Sequence, residues 1–275
     1  MAEKILRAIM IGDVVGDPGL EVLDRRLPIL ISENSADFVI VNGENAAAGF
    51  GLTDANLQRI FAAGADVVTS GNHVWEKREF WPALDSEERV LRPMNYPQGC
   101  PGRGWVKLEK PSPWGQVVWV TVNLQGREFM KAIDCPFKAF DALEASLEDP
   151  SGGGNVAEKP LVLVDFHAES SREKEALAYY LDGRVSILAG THTHVQTADE
   201  RVLPKGCAYI TDLGMTGAQN GIIGMDLKIC LDRARNQVLY RMEVAAPDSE
   251  GKSAVQGIVA EIDRETGKAI SIKRL

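Results

Sequence analysis

Apolar residues fall in short runs separated by stretches of helical spacing. Residues 5–11 form an apolar run that closes on Gly12-Asp13 and predicts a buried strand. Leu20, Leu23, Leu27, Leu30 and Ile31 stand at helical spacing, so residues 20–31 predict a helix, with a kink or early stop at Pro28. Residues 38–41 are a second apolar strand, closing on Asn42-Gly43-Glu44-Asn45. Thr53 is placed to cap a helix running to about Ala63, with Gly64 ending it. A third strand at residues 67–69 leads into Ser70-Gly71-Asn72-His73.

The middle of the chain is less regular. Residues 105–108 and 117–122 predict strands, the second expected at the centre of a sheet, and residues 137–147 predict a helix. Residues 149–159, with three consecutive glycines, read as a surface loop. Alternation then resumes. A strand at 161–164 closes on Asp165-Phe166-His167, a helix covers 172–181, and a strand at 185–189 closes on Gly190-Thr191-His192-Thr193-His194. Strands are expected at 208–211 and 227–231, then hairpin-like pieces from Val238 with a turn at 263–268. There is no internal repeat or domain-sized linker, so residues 1–275 are expected to form a single domain. Strand–helix alternation with short connections predicts an α/β fold with a largely parallel sheet covered by helices.

Composition narrows the function. No run of ~18 apolar residues occurs, which argues against a membrane span. The first residues are too few and too charged for a secretory signal. The four cysteines are scattered, and Cys207 and Cys230 read as reduced core residues in strands. These features predict a cytoplasmic protein. The net charge is −9 with no basic stripe, so a stable long nucleic-acid partner is not expected. A small phosphate ester remains compatible if bound cations supply positive charge locally.

All four histidines of the chain (His73, His167, His192 and His194) follow apolar strands. At the carboxyl ends of parallel strands, residues distant in sequence meet where ligands bind. The polar groups there include the carboxylates of Asp13 and Glu44, the carboxamides of Asn45 and Asn72, and the four imidazoles. Oxygen and nitrogen donors of this kind suit manganese, iron or zinc. They exceed what one ion needs, and two ions sharing a carboxylate would use them. Each has an ordinary reading too: a lone His at a strand end is usually structural, Asp13 serves equally as a cap or turn residue, and Gly71-Asn72-His73 serves as a turn. His192 and His194, two apart, face the same way in an extended chain, which favours ligation. Asp165 and Asp212 are candidates for orienting the imidazoles, or are strand-end turn residues. Arg78 is either a phosphate contact or a solvated helix residue, and Trp75 and Trp81 read first as core.

In order, Gly12-Asp13, Gly43-Glu44-Asn45, Gly71-Asn72-His73, His167 and His192-Thr193-His194 resemble the motifs of the calcineurin-like metallophosphoesterases. Two departures stand out: Val15 occupies the first histidine position, and Glu44 stands where aspartate is usual. With residues 10–16, 42–45, 190–197 and 212–217, these departures resemble the YmdB-like bacterial phosphodiesterases. The resemblance implies a four-layer α/β/β/α sandwich with its site at the carboxyl ends of the strands. It implies one ion held by Asp13, Glu44, Asn45 and His194, and another by Glu44, Asn72, His167 and His192. Glu44 would bridge, Asn45 would replace the missing histidine, and the ions would be iron or manganese, with zinc or magnesium as alternatives.

The implied activity is hydrolysis of cyclic-nucleotide phosphodiesters, 2',3'-cyclic and also 3',5'-cyclic, by metal-activated hydroxide. Unliganded His73 would be the catalytic proton donor to the leaving alkoxide. Two alternatives stand beside it: a phosphomonoesterase or 5'-nucleotidase of the same fold, and a metal-containing regulatory protein that binds nucleotide or RNA. The expected partner is a small nucleotide substrate, a homo-oligomer is allowed, and the sequence assigns no substrate-binding residue beyond the metal shell.

Overall fold

The computed structural model describes residues 4–148, 159–246 and 252–275, so the loop expected at 149–159 falls almost wholly outside the described residues. From the N-terminus, β1 (Ile5–Ile11) passes through the short β2 (Asp13–Val14) into α1 (Gly16–Asn34), β3 (Phe38–Asn42), α2 (Asp54–Ala62) and β4 (Val67–Thr69). Next come α3 (Trp81–Ser86), β5 (Trp105–Ser112), β6 (Gly115–Gln125) and α4 (Pro136–Glu148). β7 (Leu161–His167), α5 (Ser171–Leu181) and β8 (Ile187–Thr191) follow, then β9 (Arg201–Val202), β10 (Ala208–Ile210) and β11 (Met215–Ala218). The chain ends with α6 (Leu227–Asn236), β12 (Ser253–Ala254), β13 (Gly257–Asp263) and β14 (Ala269–Arg274).

These strands form two main sheets where the sequence pattern predicts one. The first has the order β14-β13-β1-β3-β4 and the second β5-β6-β7-β8-β10-β9, with a small third sheet β12-β11-β2. β1, β3 and β4 run parallel, as do β6, β7, β8 and β10, and antiparallel strands flank both sets. Each sheet is apolar on both faces. Leu6, Ala8 and Met10 of β1 join Leu161 and Leu163 of β7 in one core shared by the two sheets. Ile9 and Ile11 meet Leu20 and Leu23 of α1 and Leu57 of α2 on the opposite side. Val162 and Val164 likewise meet Leu177 and Leu181 of α5. A strand buried on both faces reads as a continuous apolar run, whether a helix or a second sheet covers it.

Three local expectations change. α1 continues through Pro28 to Asn34. Pro28 is exposed, so the carbonyl that loses its amide partner four residues earlier faces water. β6 is interior but second from the sheet edge, next to β5. Residues 227–231 form the start of α6 and not a strand: Asp226 caps it by accepting from Ile229 N at 2.8 Å. Cys230 consequently sits half-buried on a helix, whereas Cys207 is in the core. Among the described residues, no helix is long and apolar enough to cross a membrane.

Candidate metal centre

The parallel strands of both sheets deliver polar residues to one place. β1 leads to Asp13, β3 to Glu44 and Asn45, β4 to Asn72 and His73, β7 ends on His167, and β8 leads to His192 and His194. Around His167 Nε2 lie Glu44 Oε1 at 3.0 Å, His192 Nδ1 at 3.0 Å and Asn72 Oδ1 at 3.2 Å. Beside them, His194 Nε2 is 3.2 Å from Asn45 Oδ1 and 3.9 Å from Asp13 Oδ1. The seven candidate ligands therefore fall into two adjoining groups. Glu44, His167 and His192 have ligand atoms all within 4.8 Å of one another, a spacing able to hold an ion.

Two observations fit these residues to cations. Asp13 Oδ1 is buried and accepts no hydrogen bond from the described residues, an arrangement costly for a carboxylate oxygen without a positive partner. Gly71 leaves the space open: a Cβ there would lie 2.3 Å from His167 Nε2 and 2.4 Å from Glu44 Oε2.

The far nitrogen of each clustered imidazole is held. Thr191 Oγ1 donates to Asp165 Oδ1 at 2.7 Å, so it accepts from His167 Nδ1 at 3.0 Å. His192 Nε2 lies 3.2 Å from Glu169 Oε2, and His194 Nδ1 donates to the Ile223 carbonyl at 2.9 Å. The other three ring nitrogens are the ones that converge. Such outer contacts fix tautomer and ring orientation for ligation.

The charges in the cluster are strongly perturbed. Burial would raise Glu44, but His167 beside it, helped by His73, brings it down to about 2. Burial pushes Asp13 up to about 6, against the opposing pull of His194 and His167. The two carboxylates differ because Glu44 is hydrogen-bonded and Asp13 Oδ1 is not. Burial disfavours charge on His167, yet Glu44, Asp13 and Asp165 lift it to about 9. His192 is driven down to about 3 by burial and by the charge of His167. The carboxylates thus draw positive charge onto the cluster, and a divalent ion would compete with the His167 proton for the same electron pair.

His73 stands beside this cluster. Its backbone N–H donates to Glu44 Oε2 at 3.2 Å, its Nδ1 lies 3.5 Å from Glu76 Oε1, and its ring meets Phe50 edge-on at 5.1 Å. Asp165 orients His167 through Thr191. Asp212 instead holds backbone: it accepts from Thr193 N at 3.2 Å and is paired with the buried Lys174 at 2.7 Å. Thr193 lies between His192 and His194, whose φ values of 100° and 63° are both left-handed. Arg78 is exposed and stacks over Trp81, while Trp75 and Trp81 donate to the Pro101 and Trp75 carbonyls.

Comparison with known proteins matches residues 9–275 to the family model described as YmdB-like protein. The chain belongs to the YmdB-like family. It is 43% identical over 272 residues to the 2',3'-cyclic-nucleotide 2'-phosphodiesterase of Bacillus subtilis strain 168, covering 98% of this chain and 96% of that protein. It is 31% identical to a putative phosphatase/phosphodiesterase of Mycoplasma pneumoniae, covering 98% and 92%. Among solved structures, a hypothetical protein from Thermus thermophilus superposes with a TM-score of 0.84 at 39% identity, covering 98% of both chains. A novel phosphatase from Mycoplasma pneumoniae superposes with a TM-score of 0.88 at 29% identity, covering 100% of this chain and 94% of that one.

In this YmdB-like chain Val15 is fully buried, packed with Met215 and Met225, and Asn45 Oδ1 lies beside His194 instead. Sequence reasoning missed Glu169, Thr191, Glu76 and the Ile223 carbonyl. Thr191 and Glu169 had a faint signal, lying one and two residues from ligand-type histidines. Glu76 and Ile223 had none.

Proposed function

We propose that this protein is a metal-dependent phosphodiesterase that opens 2',3'-cyclic nucleotides at a dinuclear centre. The observation that carries the reading is the convergence of three imidazoles, each with a polar partner at its far nitrogen, with two carboxylates and two carboxamides. Asp13, Glu44, Asn45 and His194 would hold one ion, and Glu44, Asn72, His167 and His192 the other, with iron or manganese best suited to the mixed oxygen and nitrogen donors. The name of the Bacillus subtilis relative supports the substrate class. The core shared by the two sheets, with helices outside, supports a four-layer α/β/β/α domain spanning the whole chain.

Divalent ions bound here would supply the charge that activates water and offsets negative charge on the phosphoryl oxygens. The protein's own task is to place those ions and to handle the leaving group's proton. Glu76 holds Nδ1 of His73, so Nε2 is the atom that gives a proton to the departing alkoxide. His73 Nδ1 bonds Glu76 and not the ligand cluster, which suits a donor better than a ligand.

The test is hydrolysis by protein stripped with chelator and reloaded with manganese or iron. Opening of 2',3'-cyclic nucleotides to 3'-phosphates, faster than release of phosphate from monoesters, is expected. The reverse preference would establish the phosphomonoesterase reading, which the phosphatase name of the solved Mycoplasma pneumoniae protein favours.

A further inference from the structure

The turn after β6 displays an aromatic side chain for which the fold has no use. Phe129 is 88% exposed and belongs to none of the hydrophobic clusters of the described residues. Its φ is 63°, a left-handed conformation unfavourable for a bulky side chain. Neither exposure nor strain is repaid by packing.

The backbone beneath it is nonetheless pinned. The buried carboxylate of Glu173 accepts from Arg127 N at 2.9 Å and Glu128 N at 3.0 Å. Glu128 in turn accepts from Ser170 Oγ at 2.6 Å and from Arg172 at 2.7 Å. Met130 N donates to the Arg127 carbonyl at 3.2 Å and closes the turn, so a turn anchored at Arg127 and Glu128 presents its apex side chain with less entropy to lose on contact.

The turn also lies at the rim of the candidate metal centre. Gln125 pairs with His167 across the sheet, and Gly126 N donates to the His167 carbonyl at 3.0 Å. Phe129 follows Gly126 by three residues, so their Cα atoms are within about 11 Å. Ser170, which anchors Glu128, adjoins Glu169, whose carboxylate reaches His192.

We propose that Phe129 is the platform on which the nucleobase of the substrate stacks while its cyclic phosphate lies at the metal centre. The inference rests on the phosphodiesterase reading and adds a substrate-binding residue to it. A phenyl face accepts any base, so the platform favours nucleotides over base-free diesters without selecting one base strongly.

The test compares the metal-loaded wild type with Phe129→Ala and Phe129→Trp on adenosine 2',3'-cyclic phosphate and on glycerol 1,2-cyclic phosphate, a cyclic diester with no base. The ratio of kcat/KM for the nucleotide over the glycerol ester is expected to fall roughly 5- to 150-fold in Phe129→Ala, the range of one lost base–aromatic stack. Phe129→Trp should keep the wild-type ratio. An unchanged ratio in Phe129→Ala overturns the proposal, as does an equal loss on both substrates with a changed sedimentation coefficient, which would make Phe129 a contact between copies. If the wild type cleaves neither diester, the phosphodiesterase reading fails by itself. The platform is then decided by calorimetric binding of adenosine 3'-monophosphate, which should weaken by the same factor in Phe129→Ala. Equal affinities would overturn it.

Discussion

The His192 ring has a polar partner on each side: Nε2 faces Glu169 Oε2 at 3.2 Å while Nδ1 faces His167 Nε2 at 3.0 Å. A carboxylate beside Nε2 favours a proton there, which would leave Nδ1 as the nitrogen placed to ligate. Glu169→Ala should weaken metal binding by about 10- to 100-fold, the usual cost of losing such a partner. Glu169→Gln, which still offers an acceptor oxygen, should lose less. Titration of stripped protein with manganese measures both, and wild-type affinity in the alanine variant would remove Glu169 from the site.

Removing the proposed acid should separate chemistry from binding. In His73→Ala, metal content and melting temperature should match the wild type while turnover of a cyclic nucleotide falls by roughly 10²- to 10⁴-fold. The loss should shrink for a diester of 4-nitrophenol, whose leaving group needs no proton. Metal analysis showing a missing ion in this variant would make His73 a ligand.

Thr191 links Asp165 to His167 inside the protein. Thr191→Val keeps the shape but leaves His167 Nδ1 and an Asp165 oxygen short of a partner. Leaving a buried polar group unpaired costs about 1–3 kcal/mol. Urea unfolding in chelator should report that loss, and stability equal to wild type would show that the link is not needed.

Much of this candidate centre could be read from the chain because its candidate ligands stop apolar strands: Asp13, Glu44 and His167 each follow a run that can only be buried. The layering was less legible. Val39 and Ile40 are equally apolar, though Val39 faces helices and Ile40 faces the second sheet. α6 was misread because Leu227, Ile229 and Leu231 alternate like a strand, and it buries none of its residues against the core. Glu169 and Glu76 look like any surface glutamate until the fold brings histidines against them.

The loop that carries the histidine pair is fastened at Asp199, which accepts from Thr197 Oγ1 and Thr211 N. Burial would raise Asp199, but these hydrogen bonds and Arg201 hold it below the usual 3.8. A carboxyl lowered in the folded state contributes stability that is fully present above its unfolded pKa and is lost as pH falls through the folded value. Asp199→Asn should therefore lower stability at neutral pH and flatten its decline in acid. Unfolding curves at neutral and acid pH, with chelator present, would show parallel declines if Asp199 contributed nothing.

A crystal structure of the manganese-loaded protein tests the dinuclear centre most directly. Two ions about 3.5–4 Å apart, the usual spacing of paired hydrolytic metals, are expected. Glu44 should touch both, with Asn45 and His194 on one side and Asn72, His167 and His192 on the other. A single ion, or two ions that leave Glu44 unbound, would contradict the assignment.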